Sequence, residues 1–355
     1  MSNRRVIYVL HKTGAESHYI GLKTLLEQEN GRVFFHEFSI LSTSFKSLIK
    51  LKFRLLTKQI INAFFLFELL FSKDKKVVLG IAPYDYKLRN VLFFLRNHQV
   101  YYHTSWTCWD GTFYPKKKRV TPELKAFWRD FIENKTRHIF AVSQKTKDEL
   151  LENYNLQDAM VSVVYHSIND NFFNSKASVQ NPNERLKFVY AGRFRPEKGL
   201  DELLEFFALN PDKELTLAGS GELKNKIEEF SNKYSNIHYV GQINEPEKLA
   251  GLFGESHYLI LNSQKSGKWE ELFGMVLIEA MACGCIPIAT NHSGPKEIIE
   301  SGQNGFLVEE GKISDVLNNL SSENYSVEIQ KNAIETGKEF TKSNISKRWK
   351  TILTD

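Results

Sequence analysis

The chain has 355 residues, 42% of them hydrophobic and 25% charged, with a formal net charge of +5. This is enough for two domains with separate cores, and the balance excludes a disordered, collagen-like or membrane-embedded class. The three cysteines Cys108, Cys283 and Cys285 make no disulfide framework and fit a reducing compartment.

Strand-like and helix-like stretches alternate almost throughout, the pattern of parallel sheets covered by helices. In the first half, strands are expected at Val6 to His11, Val33 to Ile40, Lys76 to Ile81, Val100 to Ser105, His138 to Val142 and Met160 to Tyr165. The apolar run of the first strand is too short for a signal peptide, and no stretch reaches the roughly 20 apolar residues of a membrane span. The loop His11-Lys-Thr-Gly14-Ala-Glu-Ser17 joins the first strand to a helix. Gly14 there could serve a tight turn, but beside the motifs of the second half it is expected to line the substrate site through close approach of backbone to an anion.

Residues 42 to 58 are basic, apolar and free of acids, and the apolar character continues to Phe71. Lys46, Lys50, Arg54 and Lys58, four apart, would share one helical face, either solvated or laid on an anionic membrane surface. Lys116-Lys-Lys-Arg119 adds a second basic patch near Trp106, Trp109, Phe113 and Tyr114. Together, residues 42–71 and 116–119 favour a peripheral place on the cytoplasmic face of a membrane. Nucleic acid is not expected as a partner, because no nucleic-acid motif accompanies the charge.

The polar stretch 169–185 reads as a linker between a domain at 1–168 and a second at 186–335, with 336–355 as closing helices. Second-domain strands are expected at Leu186 to Tyr190, Glu214 to Leu217, Ile237 to Val240, Tyr258 to Leu261, Ile286 to Ala289 and Phe306 to Val308. Gly219 and Gly221 are expected in a strand-to-helix turn. Glu271-Leu-Phe-Gly274 then leads into a helix that carries Glu279 among buried neighbours and ends near Gly284. A carboxylate so placed needs a hydrogen-bonded partner or ligand. Cys283 and Cys285 read as core residues, since no histidine or second cysteine pair joins them. No Asp-x-Asp pair occurs to hold a divalent metal.

Glu271 and Glu279, with Val189-Tyr-Ala-Gly-Arg193-Phe-Arg-Pro-Glu-Lys198-Gly199, Leu217-Ala-Gly-Ser-Gly221 and Ser293-Gly-Pro-Lys-Glu297, resemble in order and spacing the E-x₇-E retaining glycosyltransferases of family 4. The resemblance implies an α/β GT-B fold, two Rossmann-like domains facing a cleft, with a C-terminal helix bearing Trp349 that returns to the first domain. It implies transfer from a nucleotide sugar (UDP favoured, GDP open) to a glycan or lipid-linked acceptor in surface polysaccharide or glycolipid synthesis. No metal and no cofactor are expected. Arg193 and Lys198 would meet the diphosphate, helped by the Phe273 and Gly274 amides. Glu279 would take the ribose diol and Glu271 a hydroxyl of the moving sugar. Gln242 and Ile243 would hold the base, Gly221 would line the donor site, and His103, at a strand end, would contact the sugar. His166-Ser167 stands where the family has Asn-Gly and receives no role. A non-hydrolysing nucleotide-sugar epimerase or a silent binding subunit are the alternative readings.

Overall fold

The computed structural model describes residues 5–12, 16–39, 53–114, 120–174, 185–267 and 270–354. Gly14, the basic residues 42–52 and the patch 116–119 lie outside them. The chain divides into two compact units, residues 1–167 with 342–355, and residues 168–341.

The first unit is built on a parallel sheet of β1 (Val6–His11), β2 (Arg32–Glu37), β3 (Lys76–Gly80), β4 (Gln99–Thr104), β5 (His138–Ala141) and β6 (Val161–Val163). Their spatial order is β2-β1-β3-β4-β5-β6. The central strands are buried along nearly their whole length, which is why they read as continuous apolar runs rather than alternating ones. The helix Lys342–Arg348 belongs to this unit and packs on the helix Ile20–Gln28. Trp349, just after it, is buried against Phe140, with ring centroids 4.4 Å apart.

The second unit carries β7 (Lys187–Phe194), β8 (Glu214–Gly221), β9 (Ile237–Tyr239), β10 (Tyr258–Leu261), β11 (Ile286–Thr290) and β12 (Phe306–Val308). All pair in parallel, in the order β12-β11-β10-β7-β8-β9, so the order reverses between β7 and β10. That reversal opens a crevice at the strands' carboxyl ends, where sheets of this kind bind ligands.

Two local expectations need correction. β7 and β8 run past Tyr190 and Leu217 to Phe194 and Gly221, so Gly219 and Gly221 lie in a strand, not a turn. The cause is close pairing of Gly192 with Gly219: a Cβ at Gly219 would sit 1.9 Å from the Gly192 carbonyl oxygen. In the expected linker, Asn171–Asn174 is a short helix of the second unit, and the Phe172 carbonyl accepts from the Cys283 thiol at 3.2 Å.

Candidate active site

The second unit's crevice begins where β7 and β8 end. A pocket of about 310 Å³ is lined there by Arg193, Gly219, Ser220, Gln242, Ile243 and Glu279, among others. Gln242 is anchored on both sides, its amide oxygen accepting from Ser220 Oγ at 2.9 Å and its amide nitrogen donating to Asn244 at 2.9 Å. The Gly219 amide donates to the Gly241 carbonyl at 2.8 Å, which holds the β8 end against the loop carrying Gln242. Gly221 is outside this lining, and Gly219 takes its place.

Glu279 enters the pocket from the helix Met275–Ala282, whose other residues are mostly buried apolar ones. It forms no hydrogen bond or ion pair with any described residue, and burial pushes its pKa from 4.5 up to about 7. Arg193 is exposed at the end of β7 and forms no ion pair with a described residue. The pocket therefore holds an unneutralised guanidinium and an unpartnered carboxyl group.

Lys198 and Glu271 form a second group at the same switch point. Lys198 ends the turn Pro196–Lys198 after β7, and Ser263 follows β10. Lys198 Nζ donates to Glu271 Oε2, and Ser263 Oγ bonds both partners, at 3.3 and 3.2 Å. Both charged side chains are largely covered, with 11% and 17% of their surface exposed. Neither lines the pocket around Glu279, so the structure sorts the expected residues into two neighbouring sets on one sheet end.

The segment before the Glu279 helix is fixed by contacts that the sequence reading missed. Glu271 donates its amide to His292 Nδ1 at 2.9 Å, and its carbonyl accepts from the Gly294 amide at 3.0 Å. His292 is 1% exposed, and its Nε2 lies 3.0 Å from a Glu310 carboxylate oxygen. A Cβ on Gly294 would fall 2.3 Å from the Phe273 nitrogen, so only glycine lets this turn press on the Leu272–Phe273 backbone. Phe273 is buried against Phe340, and Gly274, at φ 79°, precedes the helix. The signal for His292 was its place next to the Ser293–Glu297 motif, but nothing in its spacing distinguished it.

In the first unit, His103 is the penultimate residue of β4 and is 6% exposed, with no hydrogen-bond partner at Nε2 among the described residues. It lines a cavity of about 250 Å³ with His11, His18, Lys12 and Trp106. Burial, reinforced by His166, His18 and His11, holds its pKa well below the ordinary value, so it is a neutral imidazole. His11 opens the loop that the sequence offered as ligand-lining, whereas His18 was not singled out from the sequence.

The profile described as "Glycosyl transferases group 1" matches residues 171–340, and that described as "Glycosyltransferase Family 4" matches residues 91–172. Between them the two profiles span residues 91–340, and over that range the chain is similar to the family 4 glycosyltransferases. An uncharacterised glycosyltransferase of Methanocaldococcus jannaschii is 32% identical over 206 residues, 58% of this chain and 54% of that one. The chain thus spans about half the length of the curated relatives it matches. The crystal structure of HepE from Anabaena in complex with UDP shares the fold at a TM-score of 0.67 and 16% identity, covering 98% of this chain and 99% of that one. The apo lipopolysaccharide outer core galactosyltransferase WaaB does so at 0.68 and 19%, with the same coverage. The two parallel-sheet units are those of the GT-B glycosyltransferase fold.

Proposed function

We propose that the chain transfers a sugar from a nucleoside diphosphate sugar to a glycan or lipid-linked acceptor, with retention of anomeric configuration and without a metal ion. The observation that carries this is Glu279, a carboxyl group facing a pocket without a partner while Arg193 stands uncompensated at the same pocket. A ribose diol supplies two donors to such a carboxylate, and a diphosphate supplies the counter-charge that Arg193 lacks. The backbone of Gln242 and Ile243 then meets the base. UDP is the favoured nucleotide, in keeping with the UDP bound to HepE.

Lys198 and Glu271 hold each other in the free protein. Donor binding gives Lys198 a phosphate and Glu271 a sugar hydroxyl, exchanging one buried pair for two charge-assisted contacts. As the glycosidic bond breaks, charge gathers on the leaving diphosphate. Arg193, Lys198 and the amino end of the Met275–Ala282 helix stabilise it there. The leaving phosphate accepts the acceptor's proton on the same face, which gives retention. The first unit's histidine-lined cavity, with neutral imidazoles and Trp106, suits the hydroxyls of a sugar.

The role in surface glycan synthesis rests on likeness to proteins such as WaaB. The test is a panel of UDP- and GDP-sugars, following donor hydrolysis by nucleotide release, with and without EDTA. Slow turnover of one donor, unaffected by chelation and strongly reduced by Glu271→Gln, is the expected result. Turnover restored only by a divalent ion refutes the metal-free step, and epimerised donor as product refutes transfer.

A further inference from the structure

The histidine-lined cavity of the first unit sits where that sheet reverses its own order. β1 lies between β2 and β3, so the chain runs out to either side of it. Crevices of this kind open at the carboxyl ends of the strands. His11 ends β1, Gly80 ends β3 and Thr104 ends β4, and all three line the cavity. A Cβ at Gly80 would fall 2.3 Å from the His11 ring and 2.4 Å from the Tyr19 hydroxyl, so only glycine seats both. At about 250 Å³ the cavity is near the lower end of small-molecule sites and takes one sugar-sized group.

Its charge is one-sided. His11, His18, His103 and Lys12 line it, and among the described residues no carboxylate or amide side chain does. Lys12 forms no ion pair with a described residue. His166 joins the cluster through His18, with ring centroids 4.7 Å apart. Glu16, in the turn that follows, is exposed and outside the lining. The acid that acts on His11 is Glu37 of β2. Its carboxylate is already held by Gln59 at 2.9 Å and by Lys58, expected on a solvated basic face, at 2.9 Å. Two buried polar atoms, His103 Nε2 and Tyr19 Oη, have no hydrogen-bond partner among the described residues, and their rings lie 4.7 Å apart. His103 Nε2 therefore faces a place for a polar ligand atom. Imidazoles gathered in this way suppress one another's charge. Burial, then His18, takes His11 down to about 4 and His166 to about 3, and burial lowers His18.

We propose that this cavity takes the oxyanion, carboxylate or phosphate, of an acidic sugar acceptor. That the ligand is an acceptor rests on the sugar-transfer reading, whereas the preference for an anion rests on the cavity alone. Lys12 supplies the standing positive charge, and a neutral sugar would leave it without a counter-charge. An entering oxyanion reverses the field that keeps the imidazoles neutral, so the cluster takes up a proton as the ligand binds. Imidazoles that stay neutral serve ring hydroxyls as donor or acceptor. The donor's diphosphate is assigned Arg193 and Lys198 in the second unit, which leaves the acceptor as the source of this anion.

The full chain is titrated calorimetrically with methyl glucoside, methyl glucuronide and glucose 6-phosphate, which share one ring and differ in charge. At pH 6.5 the two anions should bind on the order of tenfold tighter than the neutral glucoside. The glucuronide carboxylate does not titrate between pH 6.5 and 8, so a fall in its affinity over that range reports the protein's own proton uptake. Heats measured in buffers of different ionisation enthalpy should show the same uptake. Lys12→Ala should abolish the preference for the anions, Lys12→Arg should restore it, and UDP should bind Lys12→Ala as it binds the wild type. Equal affinity for all three sugars, including none, or glucuronide binding that strengthens as pH rises, overturns the proposal. So does a loss of UDP affinity in Lys12→Ala equal to its loss of glucuronide affinity, which would make the anion the donor's diphosphate. Anion preference without turnover of any nucleotide sugar would refute the transfer reading and uphold the cavity's choice of ligand.

Discussion

If it holds the nucleotide sugar as proposed, Glu279 should make that binding depend on pH, in a direction opposite to that of a cationic site. In the free protein its pKa is raised to about 7 by burial. Sugar-nucleotide binding that uses the ionised carboxylate must first remove the proton. At pH 8 roughly nine-tenths of the free protein carries the carboxylate, and at pH 6 roughly one-tenth does, so affinity falls about tenfold between them. A nucleotide sugar is the right probe, because its diphosphate diester has no group titrating in that range. Glu279→Gln removes the dependence and weakens binding at pH 8, since an amide presents one acceptor where the carboxylate presents two. The same group shapes stability. A raised folded-state pKa gives a contribution fully present below about 4.5 and lost as pH rises through about 7, worth about 3 kcal/mol at most. Nucleotide sugar should therefore raise the melting temperature more at pH 8 than at pH 6. Calorimetric titrations from pH 6 to 8 decide the matter: a wild-type slope equal to that of Glu279→Gln refutes the reasoning.

Lys198 and Glu271 should behave as one unit in a double-mutant cycle. Lys198→Ala alone leaves a largely covered carboxylate and should cost about 3 kcal/mol in urea unfolding, while adding Glu271→Ala costs little more. Additive losses would show that the pair is not formed in solution. His292→Ala removes the acceptor of the Glu271 amide and should cost about 2 kcal/mol of stability. It should also lower kcat with little change in KM; a change confined to KM would mean that it does not position Glu271. Gly219→Ala should destabilise the protein by more than about 3 kcal/mol in urea unfolding, because its Cβ meets a paired carbonyl at 1.9 Å. Wild-type stability would contradict the close β7–β8 pairing.

Much of the sheet architecture was readable because buried parallel strands are short apolar runs bounded by polar turns. Tyr258–Leu261 and Phe306–Val308 have the bounds the sequence implies. The glycines of β7 and β8 misled because a glycine read locally is a break, whereas Gly192 and Gly219 are there to let two strands approach. The helix Phe53–Phe71 misled for another reason. Its apolar periodicity points outward, and its orientation is set by a buried acid on β2 that no local window includes. Glu271 and Glu279 were visible as a spaced motif. The pairing of Glu271 with Lys198 and Ser263, and its clamp by His292, come from strand order at the switch point, which spacing along the chain does not encode.

The central claim is that the second unit's crevice holds a nucleotide sugar between Glu279 and the cations after β7. A crystal structure of the chain soaked with millimolar UDP-sugar tests it most directly. The account predicts a ribose diol on Glu279, a diphosphate reached by Arg193 and Lys198, and Glu271 turned from Lys198 to a sugar hydroxyl. A nucleotide bound elsewhere, or that crevice empty with Lys198 and Glu271 still paired, would contradict it.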